Sequence, residues 1–179
     1  MVRIITGKYG SHPLKTPNND SVRPTKDRVK ESIFNKLYNI IESYQNKKIL
    51  DLFAGTGSFG LECLSRGAEQ VVFVDNDYRQ VDLIKENIAM LGIKDEKVQV
   101  IQANALTLDY TIYEPDIVFA DPPYKMNNID RIFKKFKELK KNTIIVFELS
   151  RYFEVPAYFK EYLLSQKEYG YTKVNIFKR

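Results

Sequence analysis

The 179-residue chain is 44% hydrophobic and 28% charged, with one cysteine and a net charge of +5. This length suits one domain with a sizeable core, and the composition excludes a collagen-like, low-complexity or mostly disordered chain. The longest apolar runs have about four residues, as at 71–74, too few for a transmembrane helix, and the first residues do not form a signal peptide. A single cysteine makes neither an intramolecular disulfide nor a zinc cage, so we expect a cytoplasmic protein without a metal.

The charge is divided unevenly along the chain. Residues 1–48 carry 10 Lys and Arg against 4 Asp and Glu, residues 49–124 carry 5 against 13, and residues 125–179 carry 13 against 6. The net charges of these segments are therefore +6, −8 and +7. An acidic centre between basic flanks indicates a site for a cationic ligand beside surfaces for a polyanion, although solvated lysines on exposed helices would give the same counts.

The N-terminal part predicts a small hairpin followed by a helix. Residues 2–6 are strand-like, a turn follows around Gly7 and Gly10, and residues 13–16 can return beside the first strand. From about 26 to 45, apolar residues recur at helical spacing and predict one buried stripe.

The remainder of the chain alternates between strand and helix patterns. Short apolar runs at 49–53, 71–74, 98–101, 117–120 and 143–149 are separated by helical stretches at about 58–66, 78–91 and 128–139. This alternation predicts an α/β fold with right-handed crossovers and a mainly parallel sheet. Strand-like residues 162–168 and 171–178 flank Tyr169-Gly170 and predict a closing antiparallel hairpin on one edge.

A glycine loop follows the first strand of this pattern. Gly55, Gly57 and Gly60 spell G-x-G-x-x-G, and Asp75 ends the next strand 20 residues after Gly55. This spacing is typical of a dinucleotide site in which the carboxylate binds the ribose hydroxyls, and it favours a nucleoside site over a plain turn. Asp51, bordering the loop, favours S-adenosylmethionine over NAD, because a pyrophosphate would meet its negative charge whereas the ammonium and sulfonium are cationic. Alternatively, Asp51 caps the turn that follows.

Two further loop segments complete the predicted nucleoside site. Asn76 directly follows the ribose-binding Asp75, and Asn104 with Ala105 follows the third strand, where the adenine edge would lie. The Asn104 amide oxygen would accept an N–H of the adenine amine, and the Ala105 backbone would add a contact. An ordinary polar loop residue explains Asn104 equally well.

The sequence Asp121-Pro122-Pro123-Tyr124 after the fourth strand is the most specific feature. The prolines hold Asp121 and Pro122 in an extended, rigid conformation. The Asp121 carboxylate and the Pro122 carbonyl would each accept one N–H of an exocyclic amine, and Tyr124 would stack on the planar group. This arrangement would direct the nitrogen lone pair at a methyl donor and stabilise the growing positive charge.

These motifs resemble those of class I S-adenosylmethionine-dependent amino-methyltransferases. Over about 1–178, the chain is similar to the RsmD family, the bacterial 16S rRNA guanine-N2 methyltransferases. The narrower similarity depends on stretches 3–9, 23–35 and 51–62. One departure is Asn104, where the family usually has Asp.

The resemblance implies a doubly wound, mainly parallel seven-stranded sheet with a C-terminal hairpin. It also implies an RNA-contacting extension (1–24) and a methyltransferase domain (25–179) that acts as a monomer without membrane or metal. The implied catalytic residues are Asp121, Pro122 and Tyr124, and the implied S-adenosylmethionine contacts are Asp51, Phe53, Gly55, Gly57, Asp75, Asn76, Asn104, Ala105 and Asp121. The implied RNA contacts are Arg3, Lys8, Arg23, Thr25, Lys26 and Arg28.

The implied substrate is 16S ribosomal RNA or a small-subunit assembly particle. The alternative is a DNA adenine-N6 or cytosine-N4 amino-methyltransferase, because such enzymes share the Asp-Pro-Pro-Tyr motif. Short flanks with no separate target-recognition domain favour RNA. A nicotinamide dehydrogenase is disfavoured, because residues 125–179 hardly supply a catalytic domain, and a non-catalytic RNA-binding module would not need the rigid motif.

Overall fold

The computed structural model describes residues 2–17 and 24–179, with the backbone alone for residues 24–28. Its elements are α1 (Pro24–Ile41), β1 (Lys48–Leu52), α2 (Ser58–Ser65), β2 (Gln70–Asp75), α3 (Tyr78–Met90), β3 (Val98–Gln102), β4 (Ile117–Ala120), α4 (Ile129–Phe136), β5 (Ile144–Ser150), β6 (Leu163–Tyr169) and β7 (Thr172–Lys178). Short 3-10 helices lie at Asp95–Lys97, Thr111–Tyr113 and Ala157–Tyr162. None of the helices in the described part of the chain is long and apolar enough to cross a membrane.

The described strands form one seven-stranded sheet in the order β3-β2-β1-β4-β5-β7-β6. The strands from β1 to β5 pair in parallel, whereas β7 pairs antiparallel with both β5 and β6. The predicted α/β fold, its mainly parallel sheet and its closing hairpin are thus confirmed. The strand order reverses between β1 and β4, and in such a sheet a ligand binds beyond the carboxyl ends of the strands at this reversal.

Helices cover both faces of the sheet, which confirms that it is doubly wound. On one face, α1, α2 and α3 pack Phe34, Phe59 and Ile84 into a core with alternate side chains of the strands. On the other face, α4 inserts Phe133 and Phe136 among the strand side chains of opposite parity. Successive side chains of a strand point to opposite faces, so each strand contributes to both cores.

The first helix is shorter at its C-terminus than the apolar stripe predicts. α1 ends at Ile41, because Glu42 has a φ of 60° and takes the chain out of the helix. Tyr44 nevertheless belongs to the core and is 3% exposed. At the other end the helix begins at Pro24, so the predicted boundary between residues 24 and 25 falls in its first turn. The division of the chain there stays a prediction.

The predicted N-terminal hairpin is present but short. Its two arms share one antiparallel bridge, between Arg3 and Pro13, and form no extended strands. The turn of the hairpin packs on the C-terminal end of α2, where the Lys8 amide donates to the Ser65 carbonyl at 2.8 Å. Gly7 has a φ of 86°, and a Cβ there would lie 2.0 Å from the Ser65 carbonyl oxygen. Only glycine therefore permits this close approach.

A buried carboxylate anchors the hairpin to α2. Glu62 is fully buried, and its oxygens accept hydrogen bonds from the amides of Ile5 at 2.6 Å and Thr6 at 3.2 Å. The Arg66 guanidinium donates to the same carboxylate at 2.9 Å, and the Lys30 ammonium lies 4.0 Å away. The carboxylate is therefore both hydrogen-bonded and charge-compensated, as a buried charge requires.

Candidate active site

The reversal of strand order brings the glycine loop beside the Asp-Pro-Pro-Tyr loop. Leu52, the last residue of β1, pairs with Ala120, the last residue of β4. Both loops therefore begin at neighbouring strand ends on the carboxyl edge of the sheet. The glycine loop and the Asp-Pro-Pro-Tyr loop therefore form one site, although they begin at Gly55 and Asp121 and lie far apart in the sequence.

The glycine loop leaves β1 through an uncommon backbone conformation. Phe53 has a φ of 58°, and the Ala54 amide that follows donates to the Val74 carbonyl at 3.0 Å. This left-handed conformation is rare for a residue with a side chain and is typical of functional loops. Gly55 and Gly57 continue with φ of 55° and 74°, which glycine adopts without strain. β1 therefore ends one residue earlier than predicted.

The third glycine of the motif serves packing. Gly60 lies within α2, and a Cβ there would come 2.3 Å from Phe73 Cε1 and 2.7 Å from Val71 Cγ1. The spacing G-x-G-x-x-G thus combines two loop glycines with one that lets α2 approach β2.

Asp51 lies deeper than its position beside the glycine loop predicts. Its side chain is 1% exposed, does not line the cavity described below, and accepts a hydrogen bond from the Gly60 amide at 2.9 Å. Its Oδ1 atom is buried without a hydrogen-bond partner among the described residues. Burial raises the pKa of this carboxyl well above its usual range, and the nearby charges of Asp75 and Asp121 raise it further, against the Gly60 hydrogen bond. The hydrogen bond from Gly60, in the first turn of α2, agrees with the alternative interpretation, in which Asp51 caps the turn that follows.

Asp75 is held rigidly at the end of β2. Its Oδ2 accepts from the Gly55 amide at 2.9 Å and its Oδ1 from the Asp77 amide at 3.0 Å. A carboxylate has about four lone-pair sites, so both oxygens keep capacity to accept further hydrogen bonds. The side chain is half-buried and lines the cavity. Asn76 beside it is exposed and also lines the cavity.

The loop after β3 forms the opposite wall. The Asn104 Oδ1 atom accepts from the Leu106 amide at 2.9 Å. The oxygen predicted to accept from adenine therefore already has a hydrogen-bond partner within its own loop. Ala105 is buried, and its carbonyl accepts from the Tyr110 hydroxyl at 2.6 Å. These bonds fix the loop backbone, and the contact of Asn104 and Ala105 with adenine stays a prediction.

A cavity of about 310 Å³ lies between these loops. This volume is at the lower end of the range of ligand pockets, about 300–1,000 Å³. The lining residues are Phe53, Val74, Asp75, Asn76, Ala103, Asn104, Ala105, Leu106, Pro123, Lys125 and Met126. Of the residues predicted to bind the cofactor, the lining includes Phe53, Asp75, Asn76, Asn104 and Ala105. The two loop glycines and Asp121 lie outside it.

Sequence reasoning missed the residues that cover the cavity from the side of the Asp-Pro-Pro-Tyr loop. The Met126 amide donates to the Pro123 carbonyl at 2.8 Å, which turns the chain back so that both residues and Lys125 line the cavity. The paired prolines indicate a rigid loop, but no local pattern indicates that the residues after Tyr124 return toward the cavity.

The Asp-Pro-Pro-Tyr loop itself lies at the rim of the cavity. Asp121 is exposed, whereas Pro122 beside it is buried. Tyr124 is 57% exposed, and its hydroxyl forms a hydrogen bond with Thr172 Oγ1 at the start of β7. The ring is therefore anchored at its hydroxyl end while much of its surface stays open.

The predicted RNA-contacting residues fall into three groups. Arg3 and Lys8 are exposed on the hairpin. Arg23 lies outside the described residues, and the side chains of Thr25, Lys26 and Arg28 lie outside them as well. Within residues 2–17 and the chain from Val29 onward, no three His, Cys, Asp or Glu side chains are grouped as a metal site.

The hairpin places its two predicted RNA contacts at opposite ends of α2. The Lys30 ammonium donates both to the Arg3 carbonyl, at 2.8 Å, and to Ser58 Oγ in the first turn of α2, at 3.2 Å. Lys8 instead binds Ser65 at the far end of that helix. An α-helix rises about 1.5 Å per residue, so the two positions are roughly 10 Å apart along it. Arg3 lies nearer the glycine loop.

Comparison with known proteins agrees with this architecture. The family model described as "Conserved hypothetical protein 95" matches residues 2–178. A Bacillus subtilis protein named "Putative rRNA methyltransferase YlbH" is 33% identical over 186 residues, covering 99% of both chains. "Ribosomal RNA small subunit methyltransferase D" of Haemophilus influenzae is 36% identical over 156 residues, covering 84% of this chain and 79% of that protein. The solved structure "Putative methyltransferase yhhF from Escherichia coli" is 30% identical, with a TM-score of 0.83 and coverage of 99% and 97%.

Proposed function

The chain belongs to the family described as conserved hypothetical protein 95, the RsmD family, and on that premise we propose that it is an S-adenosylmethionine-dependent rRNA methyltransferase. The finer proposal is that it methylates the exocyclic N2 amine of a guanine in 16S ribosomal RNA. The observation that supports amine methylation is the pairing of Leu52 with Ala120, which brings the cavity and the Asp-Pro-Pro-Tyr loop to the same edge of the sheet. The named rRNA methyltransferase relatives support RNA as the substrate.

The residues around the cavity suit S-adenosylmethionine. The Asp75 carboxylate is fixed by two backbone amides and has capacity for the ribose hydroxyls, each such charge-assisted bond contributing about 1.5–3 kcal/mol. Asp51, Asp75 and Asp121 lie close enough for their charges to interact, and the buried Oδ1 of Asp51 lacks a partner among the described residues. This acidic environment favours a cationic ligand over a pyrophosphate. When bound, the cofactor supplies a methyl group on its sulfonium.

The Asp-Pro-Pro-Tyr loop would orient the amine that is methylated. The exocyclic nitrogen of guanine is a weak nucleophile, because its lone pair is delocalised into the ring. Asp121 and the Pro122 carbonyl would each accept one of its N–H groups and stabilise the positive charge that develops during attack. Tyr124, tethered through Thr172, offers an open ring face on which the base can stack. The guanine must leave its helical stack to reach this loop.

The N-terminal extension, residues 1–24, would contact RNA phosphates. Arg3 and Lys8 are exposed on the hairpin, and Arg23, Thr25, Lys26 and Arg28 would extend that surface. Such contacts supply affinity and salt dependence without sequence specificity. The remaining residues, 25–179, would form the catalytic domain, acting as a monomer in the cytoplasm, where the proposed substrate is assembled.

The direct test is methylation of ribosomal RNA by the purified protein. Small subunits and naked 16S rRNA from cells that lack the protein are incubated with labelled S-adenosylmethionine, and the nucleosides are identified by mass spectrometry. We expect N2-methylguanosine at one site. Label in N6-methyladenosine or N4-methylcytosine of a DNA substrate, with none in rRNA, would instead support the DNA alternative.

Replacing the central carboxylate separates chemistry from cofactor binding. Asp121→Ala should abolish methyl transfer while leaving the calorimetric affinity for S-adenosylhomocysteine within a few fold, because the proposed role of this exposed carboxylate is to orient the amine. Asp95→Ala, in the 3-10 helix before β3, is the matched control and should retain full activity. An Asp121→Ala protein that still methylates rRNA at the wild-type rate would refute the amine-orienting role.

A further inference from the structure

An exposed patch of two tyrosines and an arginine lies at the carboxyl end of β5, outside the cavity. Its members, here called the Arg151 patch, are Arg151, Tyr152 and Tyr171. The two tyrosines are 71% and 73% exposed, the highest values among the large hydrophobic side chains that the structure describes. Exposed rings of this size do not contribute to the core, which makes them candidates for contact with another molecule.

The patch is assembled by strand pairing rather than by sequence proximity. Ser150, at the end of β5, pairs with Thr172, at the start of β7, and the Arg151 amide extends the ladder by donating to the Tyr171 carbonyl at 3.0 Å. The short turn between β6 and β7 therefore holds Tyr171 beside the residues that follow β5.

The guanidinium of Arg151 joins the two rings. Its Cζ lies 4.8 Å from the ring centroid of Tyr152 and 5.5 Å from that of Tyr171, both within cation–π range. Its Nη2 also donates to the Tyr152 hydroxyl at 2.9 Å. The arrangement presents aromatic surface and a positive charge together. That combination suits the flat bases and the phosphates of a nucleic acid.

One residue connects this patch to the proposed catalytic loop. Thr172, which follows Tyr171, forms the hydrogen bond that anchors the Tyr124 hydroxyl. A guanine stacked on Tyr124 would therefore have its neighbouring nucleotide within reach of the Arg151 patch. The nearby acidic side chain of Glu154 lies 4.0 Å from the Lys173 ammonium, which offsets its repulsion of a phosphate.

We propose that the Arg151 patch stacks an unpaired nucleotide adjacent to the target guanine and binds its phosphate. This inference rests on the proposed function, since it takes RNA as the substrate. Bases inside a duplex have no open face, so the patch selects a target whose neighbour is unstacked. The protein would then read the local single-stranded conformation around the guanine.

Binding to RNA of different conformation tests the proposal directly. Oligouridine, which is unstructured, and an RNA hairpin of equal length serve as probes in fluorescence-anisotropy titrations. The double variant Tyr152→Ala with Tyr171→Ala should bind oligouridine about 5- to 150-fold more weakly, because stacking on an aromatic side chain contributes about 1–3 kcal/mol per base. Its affinity for the hairpin should change little.

Two controls isolate stacking from loss of structure. Tyr152→Phe with Tyr171→Phe keeps both rings and should bind oligouridine like the wild type. Ile112→Ala removes a side chain that is 65% exposed in the 3-10 helix before β4, and it should also leave binding unchanged. Arg151→Ala should lower the salt dependence of oligouridine binding by about 0.7 in log–log slope, as expected for one phosphate contact.

Parallel methylation assays distinguish this inference from the proposed function. If the wild type methylates rRNA and the alanine double variant shows a raised KM for RNA with unchanged S-adenosylhomocysteine affinity, the proposal stands. An active variant with wild-type KM and wild-type oligouridine affinity overturns the proposal and leaves the methyltransferase function intact. If the wild type methylates no rRNA, but the alanine double variant still binds oligouridine more weakly than the wild type does, the proposed function alone is overturned.

Discussion

At the scale of single residues, Asp51 stabilises the start of α2 by accepting from the Gly60 amide, but it also places a negative charge in a buried position. Its carboxylate is almost completely buried, one oxygen bonds the Gly60 amide, and the other has no partner among the residues described. A buried charge without compensation destabilises the folded state. The ammonium of S-adenosylmethionine would supply the missing positive charge, so we interpret this destabilisation as preorganisation for a cationic ligand.

Asp51→Asn should therefore stabilise the cofactor-free protein and weaken cofactor binding. The pKa of Asp51 is raised in the folded state, so the free energy of unfolding of the wild type falls as the pH rises from about 4 through the folded-state pKa. Asparagine does not ionise, so the variant should lack this fall, which amounts to about 1.4 kcal/mol for each pH unit between about 4 and the folded-state pKa. Its affinity for S-adenosylhomocysteine should drop about 10- to 100-fold with the loss of a charge-assisted bond.

Denaturant unfolding between pH 4 and 8 and calorimetry measure these two effects. The matched control is Asp82→Asn, an exposed carboxylate on α3 that lies 3.8 Å from Lys85. It should alter neither quantity appreciably. An Asp51→Asn protein that is less stable than the wild type throughout this pH range would contradict the interpretation.

At the scale of elements, α2 connects the cofactor loop to the N-terminal hairpin. Its first residue, Ser58, follows the glycine loop and shares the Lys30 ammonium with the Arg3 carbonyl. One turn later the buried Glu62 holds two hairpin amides. The proposed RNA-contacting extension and the proposed cofactor site thus share one rigid helix.

Glu62→Gln should loosen the hairpin. The substitution removes the charge that compensates Arg66 and Lys30 in a buried setting, and breaking such a pair costs about 3 kcal/mol. We expect a lower free energy of unfolding and faster hydrogen exchange at the amides of Ile5 and Thr6.

The control for this prediction is Glu86→Gln. Its ion pair with Lys15, at 3.0 Å, also joins the N-terminal segment to a helix, but both side chains are more than half exposed. An exposed pair contributes about 0.2–1 kcal/mol, so this variant should be only slightly affected. Equal effects of the two substitutions would show that Glu62 is not the anchor of the hairpin.

At the scale of the whole molecule, the charge divides between the sheet edge and the flanks. The acidic residues of the −8 segment include the three interacting carboxylates at the reversal of strand order. The +6 segment contains the hairpin. The +7 segment contains α4, with Lys134 and Lys135 in its last turn, and also Arg151, in the patch next to Thr172. A cationic cofactor and a polyanionic substrate would thus find separate, complementary surfaces.

Arg3→Ala with Lys8→Ala should reduce the salt dependence of rRNA binding. Each lost phosphate contact lowers the log–log slope by about 0.7 for a single strand and about 0.9 for a duplex, so the double variant should lose roughly 1.4–1.8. Of the single variants, Arg3→Ala should have the larger effect on affinity, because Arg3 lies at the cofactor-loop end of α2.

Filter binding over a range of salt concentrations measures these slopes. Lys94→Ala with Lys97→Ala removes two exposed lysines beside the amino end of β3 and should leave the slope unchanged. A slope that is the same in the hairpin variant and the wild type would place the RNA on another face.

The amino-acid sequence alone determined the order of the elements and the chemistry at the strand ends. Several features are local patterns that the physics of the backbone makes predictable. They are the alternating apolar periods, the loop glycines 55 and 57, the carboxylate of Asp75 and the rigid Asp121-Pro122-Pro123-Tyr124. The predicted ends of helices and strands are less accurate. Single residues with positive φ, such as Glu42 and Phe53, end an element although their residue type does not favour an end there.

Only the tertiary structure decided which distant residues come together. The burial of Asp51, the anchoring of the hairpin by Glu62 and the return of Met126 to the cavity depend on contacts between separate elements. The Arg151 patch likewise exists because the antiparallel register of β5 and β7 places Tyr171 beside Arg151. Such contacts are selected by packing of the whole core and have no period along the chain, so local pattern reading does not reveal them.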